Sequence, residues 1–222
     1  MTMKTLIAGL ALSLAGAAQA GLLLSEGFDN VASLAGSGWV QKNNSTAGGA
    51  TGWFQGDAGV FGSASGAPNS YIGANFLNAP YPAGGAISNW LMTPTVAVEN
   101  GNTLTFALRL FGEGFLDTVQ VYLSTNGASS NVGTTTTSTG DFVLLNTYSS
   151  DVDTGWVDEA ITVSGLAGPT TGRYAFRYLA SSNLSAADYI GIDNVGVVPE
   201  PMSLALVGLA LSGMLISRRR RA

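Results

Sequence analysis

The chain has 222 residues, 46% hydrophobic and only 10% charged, with no cysteine and no histidine. That excludes a disulfide-stapled scaffold, Ser-His-Asp and cysteine-nucleophile chemistry, and ordinary zinc sites built from Cys and His. The formal net charge of −5 argues against a nucleic-acid partner, which needs a basic footprint.

In chain order, the first element reads as an export signal. Lys4 supplies a positive charge, Leu6 to Ala18 an apolar run too short to span a bilayer well, and Ala18-Gln19-Ala20 a small-x-small site for signal peptidase. Cleavage after Ala20 would leave Gly21 as the first mature residue. Residues 21–197 then suit one domain with a substantial core. Four basic residues (Lys42, Arg109, Arg173, Arg177) stand there against thirteen acidic ones, a formal −9.

Period-two alternation predicts half-buried strands over Thr103–Phe111, Thr118–Ser124 and Arg173–Leu179. Leu104, Phe106, Leu108 and Leu110 share one face of the first, Val119, Val121 and Leu123 of the second, and Tyr174, Phe176 and Tyr178 of the third. Weaker candidates are Leu22–Ser25, Gly52–Gln55, Tyr71–Asn75, Phe142–Tyr148, Trp156–Val163 and Tyr189–Val197. No segment sustains a helical period, and Gly-rich turns separate the runs. The expectation is an all-β, two-sheet antiparallel jelly-roll sandwich. Ser124 to Gly140, rich in Ser, Thr, Asn and Gly, is predicted to be an exposed hairpin loop, mobile at its tip.

The last 25 residues form a second signal. Val198-Pro199-Glu200-Pro201 precedes an uncharged stretch from Met202 to Ser217, closed by Arg218, Arg219, Arg220 and Arg221. As a helix, 202–217 would reach roughly 24 Å at about 1.5 Å per residue, short but workable for a bilayer core of about 30 Å when arginines snorkel. The arginines would remain cytoplasmic and residues 21–197 outside. The order of Pro199-Glu200-Pro201, apolar helix and arginine cluster resembles the PEP-CTERM sorting signal. That resemblance implies recognition by an exosortase near the Pro-Glu-Pro, transient anchoring in the inner membrane of a Gram-negative bacterium, and a destination in the envelope or extracellular matrix.

The middle domain also resembles a family. Its motifs are Glu26-Gly27-Phe28-Asp29, Ser88-Asn89-Trp90-Leu91-Met92-Thr93-Pro94, Asp117 to Gly127, and Gly172-Arg173-Tyr174-Ala175-Phe176-Arg177-Tyr178 followed by Asp188 to Val195. In this order they look like the choice-of-anchor J domain, related to cleaved-adhesin and MAM-like jelly rolls. Related jelly rolls hold a structural calcium where first and last strands meet, and the matching positions would be Glu26, Asp29, Asn30, Asp193 and Asn194. Calcium takes six to eight oxygens from such groups.

Three functional readings follow. The first is a non-catalytic adhesive or exopolysaccharide-associated envelope protein. The second is a lectin-like module, for which exposed Trp53 or Phe61 in a Gly-rich stretch would stack on sugar rings. The third is a glycan-processing hydrolase, which needs two facing carboxylates such as Glu113 and Asp117, or Asp158 and Glu159.

Overall fold

The computed structural model describes residues 21–199. The expectations for the export signal, with Ala18 and Ala20, and for Glu200, Pro201, the apolar stretch and the arginine cluster fall outside them. Twelve strands follow the chain: β1 Leu24–Glu26, β2 Val40–Asn43, β3 Phe54–Gln55, β4 Ile72–Asn75, β5 Ile87–Met92, β6 Val96–Val98, β7 Thr103–Leu110, β8 Asp117–Ser124, β9 Val143–Ser150, β10 Val157–Thr162, β11 Thr170–Ala180 and β12 Tyr189–Val198. They form two antiparallel sheets of six. The first runs β10-β7-β12-β4-β3 with β1 also on β12, the second β2-β5-β11-β8-β9 with β6 also on β11.

The predicted inward faces meet between the sheets. Leu104, Phe106, Leu108 and Leu110 of β7 are buried, as are Val119, Val121 and Leu123 of β8 and Tyr174, Phe176 and Tyr178 of β11. Phe106 and Phe176 join the layers edge to face, centroids 5.0 Å apart. All nine strands anticipated from alternation are present, with ends shifted by up to three residues. Three were not anticipated. All six residues of β5 are buried, so Ile-Ser-Asn-Trp-Leu-Met shows no alternation. Strands β2 and β6 are too short to show a period.

The far side of the second sheet departs from expectation. Tyr122, Ala175 and Arg177, predicted to lie on the outer face, are buried there together with Trp90 and Met92. Residues 125–142 cover them. This segment is not a free loop: Val132 and Phe142 pack onto Trp90, Met92, Tyr122 and Ala175. Its carbonyls at Ser130, Gly133 and Thr136 accept from Lys42 Nζ, Asn44 Nδ2 and Arg177 Nη2. Asp141 ties it internally by accepting from Asn126, Ser129 and Asn131. The Ser/Thr-rich composition that suggested a mobile tip supplies these local bonds instead.

Candidate functional site

The first sheet carries the candidate site, which begins with a change of partner along β12. Tyr189–Ile192 pairs with β4, whereas Val195–Val197 pairs with β1. Asp193 and Asn194 lie at the seam, and the register with β7 slips there. Three residues of β12 advance against two of β7, a bulge that places Asn194 at φ 51°. Asparagine tolerates this left-handed conformation better than most residues.

The bulge grips the segment from Gly56 to Ser70. Asp193 Oδ2 accepts from the amides of Ala64 and Ser65 at 3.0 and 3.1 Å, Oδ1 from Asn194 N at 2.7 Å, and Asn194 Oδ1 from Ser65 Oγ at 2.7 Å. Burial pushes the Asp193 carboxyl upward, the three amides pull it down, and the charge of Asp29 adds to the upward push. Glu26, whose Oε1 accepts from Phe28 N, lies on β1 opposite Val195. The carbonyl of Asn30 receives Ser33 Oγ and N. Among the described residues no group of three or more His, Cys, Asp or Glu side chains is placed to hold a metal ion. Of the five residues expected to gather around calcium, Asp193 feels the charge of Asp29, Asn194 adjoins Asp193, and Glu26 and Asn30 are engaged with their own turns.

Held by this grip, the 56–70 segment lays Phe61 on the outer face of the sheet. Phe61 stacks with Tyr71 at 5.0 Å, meets Tyr189 and Trp156 edge to face at 5.2 and 5.6 Å, and takes the Arg109 guanidinium over its ring at 4.3 Å. Arg109 is held there by a bidentate pair with Asp153. Two glycines opposite each other, Gly73 and Gly191, make the room. A Cβ on Gly191 would sit 2.8 Å from Trp156 and 2.9 Å from Phe61, and one on Gly73 2.8 Å from Tyr189 Oη. Gly191→Ala should therefore destabilise the fold by about 1–3 kcal/mol, the usual range for overpacking, with quenched or shifted Trp156 emission as a second readout. An unchanged urea midpoint would show that the cluster relaxes freely.

The expected exposed platform at Trp53 and Phe61 is corrected by this arrangement, because both side chains are buried, at 6% and 5% exposure. Phe61 is the centre of the aromatic cluster and Trp53 belongs to the main core. The glycines that lie close under the rings are Gly73 and Gly191 on the neighbouring strands, whereas Gly52 and Gly62, beside Trp53 and Phe61 in sequence, have open space where a Cβ would stand.

An open cleft of about 730 Å³ lies beside the cluster, its lining including Phe54, Asp57, Phe76, Phe111, Asp188 and Tyr189. Phe54 stands edge-on to Tyr189, centroids 5.6 Å apart, and Phe76 edge-on to the 61% exposed Tyr81 at 5.4 Å. Behind the cleft Tyr71 Oη and Tyr189 Oη lie 3.1 Å apart, and the Asp57 amide points at both. Burial raises both phenols. Asp57 Oδ1 accepts from Gly59 N, while the half-buried Asp188 carboxylate accepts no hydrogen bond among the described residues. Burial, reinforced by the nearby charge of Glu113, raises the Asp188 carboxyl above its usual range.

The acids expected as a catalytic pair are placed differently. Asp117 is fully buried and accepts from Tyr178 Oη, Gly112 N and Asp188 N, while Glu113 sits exposed on a bend at φ 47°. Asp158 and Glu159 are neighbours on β10, an edge strand, and so point to opposite faces. Asp188-Tyr189 was part of a sequence motif, but its meeting with Phe54, Asp57 and Phe76 depends on strand pairing across distant segments.

This two-sheet sandwich is the fold of cleaved-adhesin domains. The K1 cleaved adhesin domain of Lys-gingipain from Porphyromonas gingivalis W83 is 21% identical, with 80% of this chain and 98% of that one covered at a TM-score of 0.55. The K3 domain of the same protein is 20% identical, covering 81% and 99% at 0.53, and the K2 domain 14%, covering 79% and 97% at 0.56. No family model matches the chain, and no curated protein does. No helix of the described residues is long and apolar enough to cross a membrane.

Proposed function

We propose that the chain is an exported envelope protein of the choice-of-anchor J type, delivered by its PEP-CTERM-like tail, whose sandwich attaches to extracellular polysaccharide or surface glycan without altering it. The observation that carries this reading is the fold: the sandwich matches cleaved-adhesin domains over nearly their whole length. The sequence adds an export signal at one end and a sorting tail at the other, and lacks the histidine and cysteine of common hydrolytic nucleophile systems. Among the alternatives, the lectin-like reading is favoured by the aromatic cleft beside β12.

The test is retention of the purified full chain on the host's own exopolysaccharide, with release of reducing ends followed over the same period. Retention without release is expected. Release that disappears in Asp188→Asn would replace the adhesive reading with the hydrolase one, since Asp57 and Asp188 share a cleft. No retention on any exopolysaccharide would reject the adhesive reading itself.

Calcium belongs to the same proposal as a structural ion near Asp29, Asp193 and Asn194. Saturating calcium should stabilise the fold by about 3 kcal/mol when present at a hundred times its dissociation constant, and chelation should reverse this. The gain should be absent in Asp193→Asn. A melting temperature indifferent to both calcium and chelator would remove the ion from the account.

A further inference from the structure

The cleft has a charge pattern as well as aromatic faces. Its half-buried aromatic members, Phe54 and Phe76, offer apolar ring surface against which a sugar ring can pack, with the buried Tyr189 behind them. Its acidic members are the carboxylates Asp57 and Asp188, and no lysine or arginine lines it among the described residues. Arg109, the nearest cation of the adjoining cluster, is already engaged by Asp153 and Phe61. Asp188 is half-buried and accepts from no donor among the described residues, so its carboxylate is free to take a cationic partner, in partial shelter from solvent. Asn75 lends a nearby amide, whose Nδ2 has no partner among the described residues, for hydroxyl or carbonyl groups. The groups facing Asp188 are all neutral or acidic: Glu113 on the 111–116 bend, Asp117 beneath its amide, and Asp57 across the cleft.

From this we infer that the cleft binds a glycan chain bearing protonated amino groups, an N-deacetylated hexosamine polymer, with sugar rings on the aromatic faces and an amine at Asp188. An acidic chain of uronate units is disfavoured by the same carboxylates and by the −9 of residues 21–197. The inference rests on the adhesive reading and narrows its ligand.

The experiment is calorimetric titration of the full chain, purified in detergent, with oligomers of glucosamine, N-acetylglucosamine and galacturonate of equal length. It is run at slightly acidic pH, where the amine is protonated. Glucosamine oligomers should bind about two- to fivefold tighter than the N-acetylated ones, the range of a partly exposed ion pair. Asp188→Asn should bring that ratio close to one while keeping N-acetylglucosamine binding. Phe76→Ala should weaken both by about three- to tenfold. Galacturonate binding as tight as glucosamine, a ratio unchanged in Asp188→Asn, or no binding of any oligomer would overturn the inference. Retention on host exopolysaccharide, measured on the same preparation, separates the two levels. If it persists, only the cleft assignment falls; if it is also missing, the adhesive reading falls with it.

Discussion

Replacing Asp117 by alanine is expected to cost about 3–5 kcal/mol, because it leaves three donors without an acceptor in a site closed to water. Tyr178 Oη at 2.6 Å, Asp188 N at 2.8 Å and Gly112 N at 3.0 Å all converge on this one fully buried carboxylate. The residue links β11 to the bend after β7 and to the start of β12, so it also sets the wall of the cleft that Asp188 lines. Urea unfolding measures the loss; a change below about 1 kcal/mol would mean that water reaches the donors once the side chain is removed.

The same residue gives a pH signature. Burial pushes its carboxyl from 3.8 up to about 6, against the pull of the three hydrogen bonds. The folded protein then keeps a proton that the unfolded chain releases. Stability contributed by the protonated form is complete below about 3.8 and is lost as pH rises through about 6. The decline should approach roughly 3 kcal/mol at 1.36 kcal/mol per pKa unit. It is read as the difference between the pH profiles of wild type and Asp117→Asn, since Asp141 and Asp153, held low by hydrogen-bonding partners, contribute the opposite slope at lower pH. Parallel profiles would show that the three donors, not burial, set the charge of Asp117.

Trp90→Ala should cost a similar 3–5 kcal/mol, the range for removing a large buried aromatic. Trp90 is fully buried in β5, packs on Tyr122 at 4.8 Å and Phe142 at 6.0 Å, and carries the Arg177 guanidinium at 4.9 Å. Arg177 in turn donates to Ser88 Oγ, Tyr122 Oη and the Thr136 carbonyl, so the ring supports a buried arginine that fastens the 125–142 segment from beneath. Arginine suits this place because its planar fork stacks on the indole while serving several acceptors. Protease cleavage within residues 125–142 should accelerate in the variant along with the loss of urea resistance. Unchanged cleavage would mean that the bonds from Lys42 and Asn44, with those around Asp141, hold the segment without the Trp90–Arg177 support.

How much of this was legible in the sequence varies with what covers each strand. The strands β7, β8 and β11 could be read because their inner faces are continuous Leu, Val and aromatic series at period two. Strand β5 could not, because the 125–142 segment buries the face that would otherwise be polar. The composition of that segment suggested exposure, yet its hydroxyls and amides serve one another and Val132 and Phe142 supply two apolar anchors. The lectin-like reading required Trp53 or Phe61 at the surface, and their burial comes from partners distant in sequence, such as Tyr71, Tyr189 and Trp156 around Phe61, which no local pattern shows. The cleft was least legible. Phe54, Phe76 and Asp188 meet only through the β3-β4-β12 register, a long-range pairing that no local pattern encodes.

The central claim is that this sandwich is exported, sorted and left at the cell surface as a binding module. The most direct measurement is the intact mass of the protein recovered from the envelope and medium of its own host. The account predicts a chain that starts at Gly21 and ends within Pro199–Pro201. A mass that retains the apolar stretch and the arginines through Ala222 would contradict it and leave a plain membrane-tethered domain.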